Sequence, residues 1–250
     1  MLVHQGSERD HLADRRLACS LAGVAGALNT AAFYEVGFFS ANMTGNLSTL
    51  SDHIAANRLS SGLIYLGIIA LFILGASVST IMVNVGHRRG IGGIFALVIL
   101  TEAAGMVPLG CADLWFGRIW RTPTLVLGLS FLMGLQNAVV TRISDARVRT
   151  THISGIATDI GIELGLMLDG IRGTEPGDRL IPIGRRLRLH VETFLSFLVG
   201  GIGGVMLYKL IGGYLFWTAA VVLAMIALYG LWQARHAEKA PNSDTISNDL

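Results

Sequence analysis

The sequence predicts an all-α integral membrane protein of about six transmembrane helices. They form two three-helix repeats of inverted topology, each with one broken or re-entrant motif segment. Three observations predict it. Hydrophobic residues make up 52% of the 250 residues and charged residues 14%, with a mean hydropathy of +0.58, whereas a soluble domain carries about a quarter charged residues. Six apolar stretches approach the length of about 20 residues that crosses a bilayer as a helix. One short motif occurs twice, as NMTGNLSTL over Asn42 to Leu50 and as HISGIATDI over His152 to Ile160. In both copies a hydroxyl residue precedes a glycine, and the segment that follows is too polar for lipid and too apolar for a loop.

Residues 1–16 read as a polar cytoplasmic tail without the apolar core of a secretory signal, so the first span is expected to direct insertion. The first half-repeat covers 17–121. It opens with an Ala- and Gly-rich span from Leu17 to Glu35, passes through the first motif, and continues with spans over Gly62 to Val85 and Ile91 to Ala112. Asp113 to Arg121, with Trp115, Phe116 and Trp120, has the composition of an interface belt. The second half-repeat covers 122–232, with spans over Thr122 to Thr141, His190 to Leu210 and Gly213 to Trp232. An Arg-rich cytoplasmic loop is expected over 169–189. Residues 233–250 form a charged tail whose composition predicts disorder. Cys19 and Cys111 fit no disulfide or metal spacing and read as small buried apolar residues.

With six spans and non-crossing motifs, only Arg58, Arg118, Arg121 and Lys209 of the 19 Lys and Arg residues fall outside. That majority places both termini in the cytoplasm. An eight-span model with parallel repeats, in which both motif segments cross, keeps the termini inside with a smaller majority and stays open. The halves can be laid over each other beyond the motif. Gly26 to Asn29 lies over Gly134 to Asn137, and Phe72 to Gly75 over Phe197 to Gly200. Three crossings per half would invert the second copy, and interrupted helices from inverted halves meet near the midplane in many secondary transporters.

The residues expected to line such a site are Asn29, Asn42, Thr44, Gly45 and Asn46 from the first half. Those from the second are Asn137, Thr151, His152, Ser154, Gly155 and Thr158. Glycine lets the chain turn, a hydroxyl caps the new helix, and the free N–H groups at a helix start favour anions. Asn29 and Asn137 would serve equally well as ties between helices. Glu102, in mid-span, and Asp159 and Glu163, four residues apart on one helix face, are candidates for ion or proton coupling, because ionisable groups within a membrane are expensive. The last two would also be satisfied at the cytoplasmic surface beside Arg147 and Arg149. Gly75 with Ser79, and Gly200 with Gly204, have the spacing of helix-packing stripes. The sequence holds no metal cluster, phosphate loop, dinucleotide fingerprint or nucleophile elbow, so no catalytic residue, metal or cofactor is expected. Its net charge of +2 gives no reason to expect a nucleic-acid partner.

The runs VAGALNTAAFYEVGFFSANMTGNLSTL, MGLQNAVVTRI and VRTTHISGIATDIGIELG resemble the YoaK-like family of bacterial inner-membrane proteins, built on one domain of unknown function. The resemblance spans Leu17 to Trp232 and implies a multi-pass inner-membrane protein of about six helices, without implying an activity. Family members commonly carry Asp where this chain has Asn29, so the resemblance brings no proton or cation role to that position. The residues themselves point first to a small-solute transporter or channel-like permease. Its expected partners are the lipid bilayer and a small anionic or zwitterionic solute, and a homo-oligomer stays open. A non-transporting assembly partner or sensor is the alternative. An intramembrane lipid-acting enzyme using His152, Asp159 and Glu163 ranks last.

Overall fold

The computed structural model describes residues 2, 11–172 and 177–237. Within them the chain forms eight helices: α1 (His11–Val36), α2 (Met43–Ala55), α3 (Leu59–Arg88), α4 (Ile94–Trp115), α5 (Arg118–Ile143), α6 (Ile153–Ile171), α7 (Gly177–Ile211) and α8 (Tyr214–Ala237). Six of them, all but α2 and α6, are long and apolar enough to cross a membrane. The chain is a multi-pass integral membrane protein. At 13 residues and about 1.5 Å per residue, α2 falls short of a bilayer core about 30 Å thick. The 19 residues of α6 reach further, but Asp159, Glu163 and Asp169 interrupt its apolar run.

Several boundaries differ from the sequence expectation. α1 begins at His11, six residues before the expected span, and α8 runs to Ala237, into the expected tail. Residues 1, 3–10 and 238–250 of the two expected tails lie outside the described residues. The Arg-rich stretch expected as a loop over 169–189 is helical up to Ile171 and again from Gly177, with 173–176 outside the described residues. Arginine is a good helix former, so the charge marks where α7 leaves the apolar layer and does not end the helix. Cys19 and Cys111 are free and half-buried, where full burial is expected.

The spans pack in three pairs, α1 on α7, α3 on α5 and α4 on α8, while α2 lies on α3 and α6 on α7. Lipid offers leucine as good a surface as another helix does, so association in a bilayer depends on backbones coming close. Glycine provides that approach at two crossings. Between α1 and α7, Gly26 sits against the backbone of Phe197 and Gly200 against that of Gly23. Between α3 and α5, Gly134 sits against the backbone of Phe72 and Gly75 against that of Phe131. Around these crossings Leu21, Leu28, Ile99, Met106, Leu129 and Met133 are fully buried.

Polar clusters close both ends of the bundle. Where α1 and α4 finish and α5 starts, Arg121 pairs with Glu35 and with Asp113 at 2.7 Å, and Tyr208 donates to Asp113 at 2.9 Å. The expected interface belt therefore contains a buried tie, with Trp115 and Trp120 left exposed beside it. At the opposite end Arg15 pairs with Glu192 and Arg147 with Asp14 at 3.2 Å.

Candidate functional site

After α1 the chain turns at Gly37, whose φ of +76° suits a residue without a Cβ, and folds back along the helix it has just left. Asn29 holds it there. Its Oδ1 accepts the backbone N–H of Ala41 at 2.9 Å and the Ser40 hydroxyl at 3.4 Å. In the second half Asn137 does the same to the residues that precede α6. Its Oδ1 accepts the hydroxyls of Thr151 at 2.8 Å and Thr150 at 3.5 Å, and its Nδ2 donates to the Met133 carbonyl of its own helix. Each asparagine pins the segment that precedes α2 or α6 against the side of a long apolar helix. A buried backbone needs such partners once it leaves regular structure.

The two helix starts are built on one plan with different caps. Asn42 caps α2, its Oδ1 accepting the Gly45 N–H at 3.1 Å, which satisfies one of the free donors of the first turn. At α6 the corresponding residue is His152, which makes no such cap and whose Nδ1 faces Arg149 at 3.0 Å. In both cases the cap side chain fills the space that a Cβ on the motif glycine would occupy: Asn42 over Gly45 and His152 over Gly155. That contact accounts for glycine at this point of both motifs.

The two starts open on one cavity of about 820 Å³, lined by Asn29, Asn42, Thr44 and Gly45 from one half and Asn137, Thr151, His152 and Ser154 from the other. Phe39, Phe72, Thr141, Arg149 and Phe197 complete much of its wall. Arg149 is the single formally charged lining residue, and no carboxylate lines the cavity among the described residues. Residues 17–229 match the family model described as a protein of unknown function, DUF1275. The chain belongs to the DUF1275 family. No curated protein and no solved structure matches it. Membership agrees with the expected family built on a domain of unknown function.

In this DUF1275 chain, three of the expected site residues stand off the cavity wall. Asn46 is buried and donates from Nδ2 to the Phe39 carbonyl at 2.9 Å, which fixes the approach to α2. Gly155 lies under His152, and Thr158 donates to the Ser154 carbonyl one turn back. Asp159 and Glu163 line a second pocket of about 480 Å³ with Asp14, Arg147, Arg185 and His190, where Glu163 meets His190 of α7 at 3.0 Å. Glu102 is fully buried in α4. The sequence places Arg149 beside Asp159 and Glu163, whose pocket it also lines, and Phe72 and Phe197 among the repeat matches, but it assigns none of the three to this cavity. The signal for the phenylalanines was on hand, since they are the matched residues of the two halves.

Proposed function

We propose that this DUF1275 protein carries a small anionic or zwitterionic solute across the bacterial inner membrane, using the cavity between the starts of α2 and α6 as its binding site. In this reading both termini are cytoplasmic. The halves α1–α4 and α5–α8 are repeats of opposite orientation, and α2 and α6 are re-entrant helices that enter from opposite faces. The pairing of the spans supports it: α1 of one half crosses α7 of the other as α5 crosses α3, with Gly26 on Phe197 matched by Gly134 on Phe72. Since Phe72 and Phe197 lie about halfway along their spans and line the cavity, the site falls near the membrane midplane, where inverted-repeat transporters bind their cargo.

The observation that carries the choice of solute is the charge of the wall. The starts of α2 and α6, with only the Gly45 N–H taken up by a side-chain cap, and one guanidinium line a space whose described wall holds no carboxylate, so an anionic group is drawn in and a bare cation is not. The aromatic rings leave room for an apolar body beside that group. The lipid-acting enzyme stays last in this reading, because His152 faces this cavity while Asp159 and Glu163 face the other one.

The test is flux into proteoliposomes across a panel of small carboxylates, amino acids and inorganic anions. At least one solute is expected to enter faster than into protein-free vesicles, and Arg149→Leu is expected to lower that flux at least about tenfold, the loss of one charge-assisted hydrogen bond. If no member of the panel outruns protein-free vesicles, or if Arg149→Leu leaves the flux unchanged, the reading fails.

A further inference from the structure

We infer that Glu102 is a proton-binding site wired to the cavity through Gln136 and Thr150. This rests on the transport reading and deepens it, since it supplies the ion that such a transporter would couple to its solute. Gln136 donates from Nε2 to Glu102 Oε1 at 3.0 Å. On its other side Gln136 Oε1 accepts the Thr150 hydroxyl at 3.3 Å. Thr150 in turn reaches Asn137 Oδ1, the atom that holds Thr151 on the cavity wall. Polar contacts therefore run from α4, through α5, to the segment before α6, with the single Thr150 proton given either to Gln136 or to Asn137.

Two further observations separate this line from an ordinary packing tie. Glu102 has no exposed surface and its Oε2 has no hydrogen-bond partner, although a buried carboxylate normally takes up every acceptor position it has. The helices packed on α4 are α3, α5 and α8, and none of them turns a charged or titratable group onto this carboxyl. Gln136 is its one polar contact among the described residues. A group so isolated answers to protons and to little else. The second observation is that the first half lacks the arrangement. Where Gln136 precedes Asn137, the fully buried Leu28 precedes Asn29, and Ser40 reaches Asn29 with no glutamine beside it. α8 carries no carboxylate at all. The repeated framework is thus built once without the Glu102 line, so the line is an addition to it.

The amide of Gln136 makes the line a two-way switch. In the arrangement described, the amide donates to Glu102 and accepts from Thr150, which is the arrangement an ionised carboxylate requires. When a proton from bulk water binds Glu102, the acid can donate to Gln136 Oε1, and the amide turns to offer Nε2 to Thr150. The Thr150 hydroxyl must then accept from glutamine and donate to Asn137. The loading of the carboxyl is in this way read at the residue that sets the start of α6, without a proton travelling along the line.

Infrared difference spectroscopy of the purified protein in lipid nanodiscs, titrated with pH alone, tests this without any solute. A carbonyl stretch of a buried acid is expected to titrate in the wild type and to vanish in Glu102→Gln. Thr150→Val and Gln136→Leu, the latter copying the first half, are expected to move its midpoint by about one pH unit, the effect of one hydrogen bond. Identical spectra for the wild type and Glu102→Gln would overturn the proton site. A Glu102 band whose midpoint is the same in Thr150→Val and Gln136→Leu would overturn the wiring. Because the probe is the proton, failure of the flux panel leaves both outcomes readable.

Discussion

Leucine in place of Gly134 removes folded protein from the membrane. A Cβ at that position collides with the oxygen, carbonyl carbon and Cα of Phe72, backbone atoms of α3 that have no rotamer to move into. Relief requires prising α5 from α3 along the crossing that holds half of the bundle. An extra methylene in a well-packed core costs about 1–3 kcal/mol, and a whole side chain against backbone exceeds that, a large share of a total stability of about 5–15 kcal/mol. Gly26→Leu meets Phe197 in the same manner and should fail alike. Gly161→Leu is the control, since nothing lies within 4 Å of its Cβ position. The check is the monodisperse peak of a fluorescent-protein fusion in size-exclusion chromatography. Its loss is expected in the first two variants and its retention in the third.

The second large effect separates the two asparagines. Asn29→Leu strands the Ala41 backbone N–H, which is fixed by the turn and finds no other acceptor, at a cost of about 2 kcal/mol. Asn137→Leu strands hydroxyls instead. Thr151 and Thr150 can rotate toward other acceptors, and Thr150 already has Gln136, so the cost falls to about 1 kcal/mol. The thermal midpoint in detergent should drop further for Asn29→Leu than for Asn137→Leu. Asn29→Asp keeps the acceptor and should hold the midpoint, in line with the Asp that the family resemblance puts at this position. Equal losses from both leucine variants would mean that the asparagines do not anchor the broken segments as the hydrogen bonds describe.

What could be read from the sequence was whatever a local pattern encodes. Six apolar runs announced six long apolar helices, and the Thr44-Gly45 and Ser154-Gly155 pairs marked the first turns of two shorter ones. The expected hydroxyl caps are not there: Asn42 caps α2, and α6 starts at His152 without a side-chain cap, because Thr44 and Ser154 already lie inside the helices. Helix ends were less legible. Hydropathy reports where a chain leaves lipid and not where it stops being helical, so the arginines of α7 passed for a loop. Arg149 was expected beside Asp159 and Glu163, whose pocket it does line, but that it lines the other cavity as well depends on the turn through Asp145 and Ala146, whose positive φ values no composition reveals. The Glu102 to Gln136 bond joins residues 34 apart on different helices, and the exposed surroundings that would have made Glu102 ordinary could be excluded only by packing. Phe72 and Phe197 were noticed as repeat markers, yet their role at the crossings needed the partner backbone.

The claim on which the rest depends is that α2 and α6 enter from opposite faces. Single cysteines at Ala56 and Arg172, the exposed residues that follow the two helices, report it directly once Cys19 and Cys111 are replaced. A membrane-impermeant thiol reagent applied to intact cells should label the cysteine at 56 and should reach the one at 172 only after the cells are permeabilised. Labelling of both from the same side, or of neither until permeabilisation, would put the two helix ends on one face and contradict the inverted site.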